Sequence, residues 1–160
     1  MGHASKYVSA VGTFGHKWYP QDLAGVMYPG MNDTERYWFV DGDKAGDGDG
    51  TSWARAYNDI QAAENAASAG DTIFVAGRTM AKTDTDPINY AETVIVDTPQ
   101  LSIIGVSRGL TQGGLPQMKI GAGTTAMLTV RAPGCLIANM GFNGASSTGG
   151  GILLDDDGGS

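Results

Sequence analysis

The chain has 160 residues, with 10 Lys+Arg against 17 Asp+Glu, a formal net charge of −7, 25 glycines and one cysteine. That length allows one domain with a modest core, and the acidic balance argues against nucleic acid, which demands a basic stripe, and against an anionic membrane surface. The lone Cys135 cannot form an intramolecular disulfide, and no apolar run approaches the roughly 18 residues of a membrane-spanning helix.

Residues 1–36 differ from the rest. Tyr7, Phe14, Trp18, Tyr19, Tyr28 and Tyr37 are spread through and just beyond this stretch without helical or alternating period, and Pro20, Pro29 and several glycines interrupt it. Such a segment has too little local pattern to fold alone and too many aromatics for an ordinary disordered tail. Two readings are open: an arm packed on its own domain, or an arm that docks on another protein, since aromatics and Met concentrate at interfaces. The start, "MGHASKYVSAVGTFGHKW", lacks the basic-then-apolar order of a secretory signal, so export by that route is not expected. His3 and His16 fit no metal spacing.

"RYWFVDG" (Arg36 to Gly42) reads as a strand. The acidic glycine loop that follows carries Asp41, Asp43, Asp47 and Asp49. Calcium favours several carboxylates on a flexible loop, which makes these four a candidate calcium site. They miss the EF-hand pattern, however, because Ala45 and Ser52 stand where ligands belong. The alternative is that Asp and Gly simply supply turn conformations. Trp53 and Tyr57 open a helical turn. Asn58, with Gln61 after it, predicts a capping box. Ile60, Ala63 and Ala67 recur at helical spacing, leaving Glu64 and Asn65 for water, and Gly70 is placed to stop the helix.

From Asp71 the texture becomes short alternating runs: "DTIFVAG", "ETVIVD", "LSIIGVS", "QMKIGAG", "AMLTVRA", "CLIANMGFNG" and "GILLDD". Ile73, Val96, Ile120 and Phe142 recur at nearly even intervals, and so do Ile104, Leu128 and Ile152. The interval, roughly 22–24 residues, signals a repeat architecture. The expected fold is all-β: a right-handed parallel β-helix of about three to four coils, behind a capping helix formed by Trp53, Tyr57, Ile60, Ala63 and Ala67. The expected division is an arm over 1–36 and the β-helix over 37–160. An irregular sandwich with evenly spaced turns is the competing architecture.

Particular residues then carry a resemblance. Gly50-Thr51, Trp53, Ile60-Gln61-Ala62-Ala63 and Gly70-Asp71-Thr72-Ile73, with "LSIIG" and "ANMGF" later, resemble the opening of right-handed parallel β-helix domains of the pectin-lyase-like superfamily. The likeness covers about residues 37–154 and is closest to phage tail-spike and virion-fibre proteins. It implies a structural virion protein, commonly a homotrimer, whose N-terminal arm (with Tyr7, Phe14, Trp18, Tyr19 and Tyr28 as contact residues) binds capsid or tail proteins. Host-surface polysaccharide is a further implied partner, and assembly in a host cytoplasm the implied setting. The same fold also hosts polysaccharide lyases, hydrolases and non-catalytic glycan-binding adhesins, so fold does not decide among them.

A lyase requires a Lys or Arg base beside carboxylates on neighbouring coils, and a hydrolase requires two facing carboxylates. Of Arg78, Lys82, Arg108, Lys119 and Arg131 none is placed by the spacing in such a pair of carboxylates; Arg131 comes nearest, with only the terminal Asp155 cluster on a neighbouring coil, and the coils from 94 to 150 carry only Asp97 as an acid. No catalytic residue is therefore assigned. Trp18, Trp38 and Trp53 could stack on sugars, although a buried tryptophan is the commoner outcome.

Overall fold

The computed structural model describes residues 36–78, 89–107, 114–119, 126–144 and 150–155. The chain divides between Thr34 and Glu35. The arm, including Tyr7, Phe14, Trp18, Tyr19 and Tyr28, lies outside the described residues, as do Lys82, Arg108 and Ile120.

Ten short strands and one α-helix make up the regular structure of the described residues, with a single 3-10 turn at Trp53–Arg55. In chain order they are β1 (Tyr37–Val40), α1 (Ile60–Ala66), β2 (Thr72–Ala76), β3 (Asn89–Tyr90), β4 (Val94–Val96), β5 (Ser102–Val106), β6 (Gln117–Lys119), β7 (Ala126–Val130), β8 (Leu136–Ala138), β9 (Gly141–Asn143) and β10 (Gly150–Leu154). The strands form three sheets, ordered β1-β2-β5-β8, β3-β6-β9 and β4-β7-β10. Every strand pair is parallel. From β2 onward the chain visits the three sheets in fixed rotation and completes three circuits. The architecture is thus all-β and parallel, with one helix.

Parallel pairing lines like residues up in columns. Ile73, Ile103 and Ile137 are register partners in the first sheet. Tyr90, Met118 and Phe142 are partners in the second, and Val94, Leu128 and Ile152 in the third. Residues of all three sheets and of α1 meet in one core that includes Val40, Ile60, Ile73, Val96, Ile103 and Met118. Each fully buried aliphatic side chain there contributes about 1.5–3 kcal/mol relative to exposure.

The columns differ from those that an even interval predicts. Ile73 and Val96 belong to the same circuit and to different sheets, and the partner of Ile73 is Ile103. Val96 pairs with Val130, well past the predicted interval, and Ile104 lies beside Phe74 and Ala138 rather than Leu128. The Leu128–Ile152 pairing is as predicted. The cause is unequal connections. The link from β4 to β5 (97–101) matches the link from β7 to β8 (131–135) in length. The links from the first sheet to the second do not match: they run over 77–88 after β2, over 107–116 after β5, and over only Asn139 and Met140 after β8. Circuits of different length cannot share one period. The run "CLIANMGFNG" is moreover two strands, broken where Asn139 adopts a left-handed φ of 55°, a conformation that Asn tolerates better than most residues.

Candidate functional site

The β1/α1 end of the three sheets is sealed by specific polar groups. Asp71 is the first. Its carboxylate accepts from Arg36 N–H at 3.1 Å, from the Trp38 indole N–H at 2.8 Å and from Ser68 N–H at 2.8 Å. Asp71 is itself buried, and a buried carboxylate needs such donors. Gly70 before it takes a φ of +87°, a value that glycine adopts without a Cβ penalty. This turn comes after the helix has ended at Ala66, so Gly70 aims Asp71 rather than stopping α1.

The helix is the second seal. Asp59, not Asn58, is its N-cap: Asp59 Oδ1 accepts from Ala62 N–H at 2.6 Å. The backbone N–H of Asn58 is instead held by Asp47 Oδ1 at 2.8 Å. Glu92, between β3 and β4, adds a second acceptor. Ile60 N–H donates to its two oxygens at 2.9 and 3.1 Å, and Gln61 N–H donates at 3.1 Å. Burial pushes the Glu92 carboxyl pKa above its usual value, and the Ile60 and Gln61 N–H groups oppose that shift. Ile60 and Ala63 are fully buried and Ala67 packs against the same core, as the helical spacing predicts.

Gln61 and Glu64 turn this helix into a cover for the edge of β4. Ile95 N–H donates to Gln61 Oε1 at 2.7 Å, and Gln61 Nε2 donates to Ile95 O at 3.3 Å. Glu64, expected to face water, is 5% exposed. Its Oε1 accepts from Asp97 N–H at 3.0 Å and Thr98 N–H at 3.1 Å, and its Oε2 accepts from Gln61 Nε2 at 3.1 Å. Orphan strand-end donors draw the carboxylate inward. The free edge of β1 is closed by backbone alone. Phe39 N–H donates to Gly50 O, Tyr57 N–H to Phe39 O and Asp41 N–H to Tyr57 O, at 2.9, 2.9 and 2.8 Å. Trp53 and Tyr57, expected in the capping helix, precede it, Trp53 in the 3-10 turn and Tyr57 bridged to Val40. Tyr57 lies against Trp38, and Trp53 meets Phe39 edge-on at 4.9 Å while staying 38% exposed.

The four loop aspartates are not brought together. Asp41 is buried and its Oδ1 accepts from Asp43 N–H at 3.1 Å. Asp43 pairs with Arg78 at 3.4 Å, and Asp47 holds Asn58. Asp49 accepts from the Thr51 hydroxyl at 2.7 Å and forms an ion pair with Arg55. The hydroxyl bond, followed by the Thr51 N–H, holds the Asp49 carboxyl below its usual pKa. Among the described residues no three His, Cys, Asp or Glu side chains form a group able to hold a metal ion. In this loop Asp41 and Asp49 serve local turns, while Asp43 and Asp47 tie the loop to Arg78 and Asn58.

A charge column does form elsewhere. Asp97, Arg131 and Asp155 each follow the last residue of β4, β7 and β10, whose register partners are Val96, Val130 and Leu154. Arg131 Nη1 lies 4.0 Å from Asp97 Oδ1, and its Nε lies 3.4 Å from Asp155 Oδ2. A guanidinium thus stands between two carboxylates, one on the circuit before its own and one on the circuit after. A single repeat interval cannot reveal it, because Asp97 is farther from Arg131 along the chain than Asp155 is. The detectable signal is the strand-end position that all three share.

The opposite end is apolar. Among the described residues β8, β9 and β10 each pair with one strand only. Down the third-sheet column, exposure rises from 0% at Val94 and 1% at Leu128 to 46% at Ile152, and Leu154 reaches 79%. Leu136 and Leu153 are exposed as well. Cys135, next to Leu136, is half-buried, and its thiol donates toward Thr98 O and Ala132 O at 3.4 Å each. Burial raises its pKa, which opposes thiolate reactivity.

No helix among the described residues is long and apolar enough to cross a membrane. No protein-family model, curated protein or solved structure matches the chain.

Proposed function

We propose that this chain is the sealed beginning of a right-handed parallel β-helix that serves as a rigid structural element of a virus particle. In this reading residues 1–36 attach it to capsid or tail, the chain assembles as a homotrimer, and the coils project outward toward host-surface glycan. The observation that carries the proposal is the fixed rotation of the strands through three parallel sheets, closed at one end by Asp71, Gln61, Glu64 and Glu92. Parallel crossovers prefer the right hand, and a stack of coils needs a terminal cap with a polar outer face. The resemblance to virion-fibre openings and the aromatic arm supply the particle and the attachment.

Light scattering on the purified chain tests the assembly, with a mass of three 16.6 kDa protomers expected. Co-sedimentation with purified particles from the same source tests attachment. Binding that is lost on deleting residues 1–36 supports the reading. A monomer that sediments with no particle, with or without the arm, overturns it.

A second reading, a polysaccharide lyase of the pectate-lyase type, draws on the Asp97–Arg131–Asp155 column. It is the weaker of the two, because both carboxylates of the column are already engaged by the guanidinium that would have to act as the base. Unsaturated-product absorbance on acidic polysaccharides decides it: activity abolished by Arg131→Ala favours the lyase, and absence of product from the unaltered chain removes it.

A further inference from the structure

We draw no further inference here: the strongest candidate, the apolar end of the three sheets formed by Leu136 on β8 and Ile152, Leu153 and Leu154 on β10, carries nothing because nothing in the structure shows what covers it.

Discussion

The side-chain amide of Gln61 satisfies both backbone groups of Ile95, with Ile95 N–H donating to Oε1 at 2.7 Å and Nε2 donating back to Ile95 O at 3.3 Å. A glutamine on a helix here takes the place of a neighbouring strand, and an edge strand covered in this way cannot template further pairing.

Replacing Gln61 with Leu keeps the volume and removes both bonds. A buried donor left without a partner costs about 1–3 kcal/mol, so the denaturant midpoint falls by that equivalent. Hydrogen exchange at the Ile95 amide accelerates beyond what the global loss of stability explains. An Ile95 amide as protected, relative to global unfolding, as in the unaltered chain contradicts the role given to Gln61.

Asp71 ties the turn that carries it, through Ser68, to the start of β1, through Arg36 and Trp38. Asp71→Ala strands the half-buried Trp38 indole N–H and two backbone N–H groups, at a cost of about 3 kcal/mol. Asp71→Asn keeps one acceptor oxygen and loses less. Urea unfolding followed by tryptophan emission ranks the variants, with Ala below Asn below the unaltered chain. Equal stability of the two variants contradicts the carboxylate's role as an acceptor for several donors at once.

Glu92 gives a pH dependence of defined sign. Its folded-state pKa is raised, chiefly by burial, so the folded chain binds the proton more readily than the unfolded chain. The stability from that proton is fully present below the unfolded carboxyl pKa and is lost as pH rises through the folded value. Glu92→Gln cannot titrate. The stability of the unaltered chain minus that of Glu92→Gln therefore increases as pH is lowered from neutral into the carboxyl range, as read from paired denaturation curves. A difference that shrinks on acidification reverses the sign and contradicts the assignment.

Much of the fold is legible locally, because alternation and helical spacing are local signals. "DTIFVAG", "LSIIGVS" and "AMLTVRA" contain β2, β5 and β7, and Ile60 and Ala63 are the apolar buried residues of α1, with Ala67 just past its end packed on the same core. Register is not legible. It depends on how much chain each connection consumes, and links as unequal as 77–88, 107–116 and the Asn139–Met140 pair defeat any single period. The two-residue strand β3 is too short to show alternation. Helical spacing assigns Glu64 to water because it names the apolar side of α1 but not the donors waiting at Asp97 and Thr98, far along the chain. Of the Asp97–Arg131–Asp155 column the sequence shows one half, since Asp155 follows Arg131 at the repeat interval, while Asp97 escapes because it joins Arg131 only once Val96 and Val130 are in register.

Gly105 tests the spacing between circuits. It is the register partner of Val75, on a strand that pairs in turn with β8, and a methyl group there would overlap the backbone carbonyl oxygen of Asn139 and crowd Pro116. The obstacle is main chain of the next circuit rather than the tip of a flexible side chain, so it cannot rotate away. Gly105→Ala must push the β8–β9 turn outward or abandon the pairing of β5 with β8, and overpacking of this kind costs about 1–3 kcal/mol or more. Gly114 provides the control, because a methyl group there meets nothing within 4 Å, and Gly114→Ala changes stability by no more than about 0.5 kcal/mol. Thermal unfolding of both variants, with hydrogen exchange across Leu136–Ala138, separates the two cases. Gly105→Ala lowers the midpoint and deprotects β8 while Gly114→Ala does neither, and a Gly105→Ala chain with undisturbed β8 protection would show that the circuits are not packed in this register.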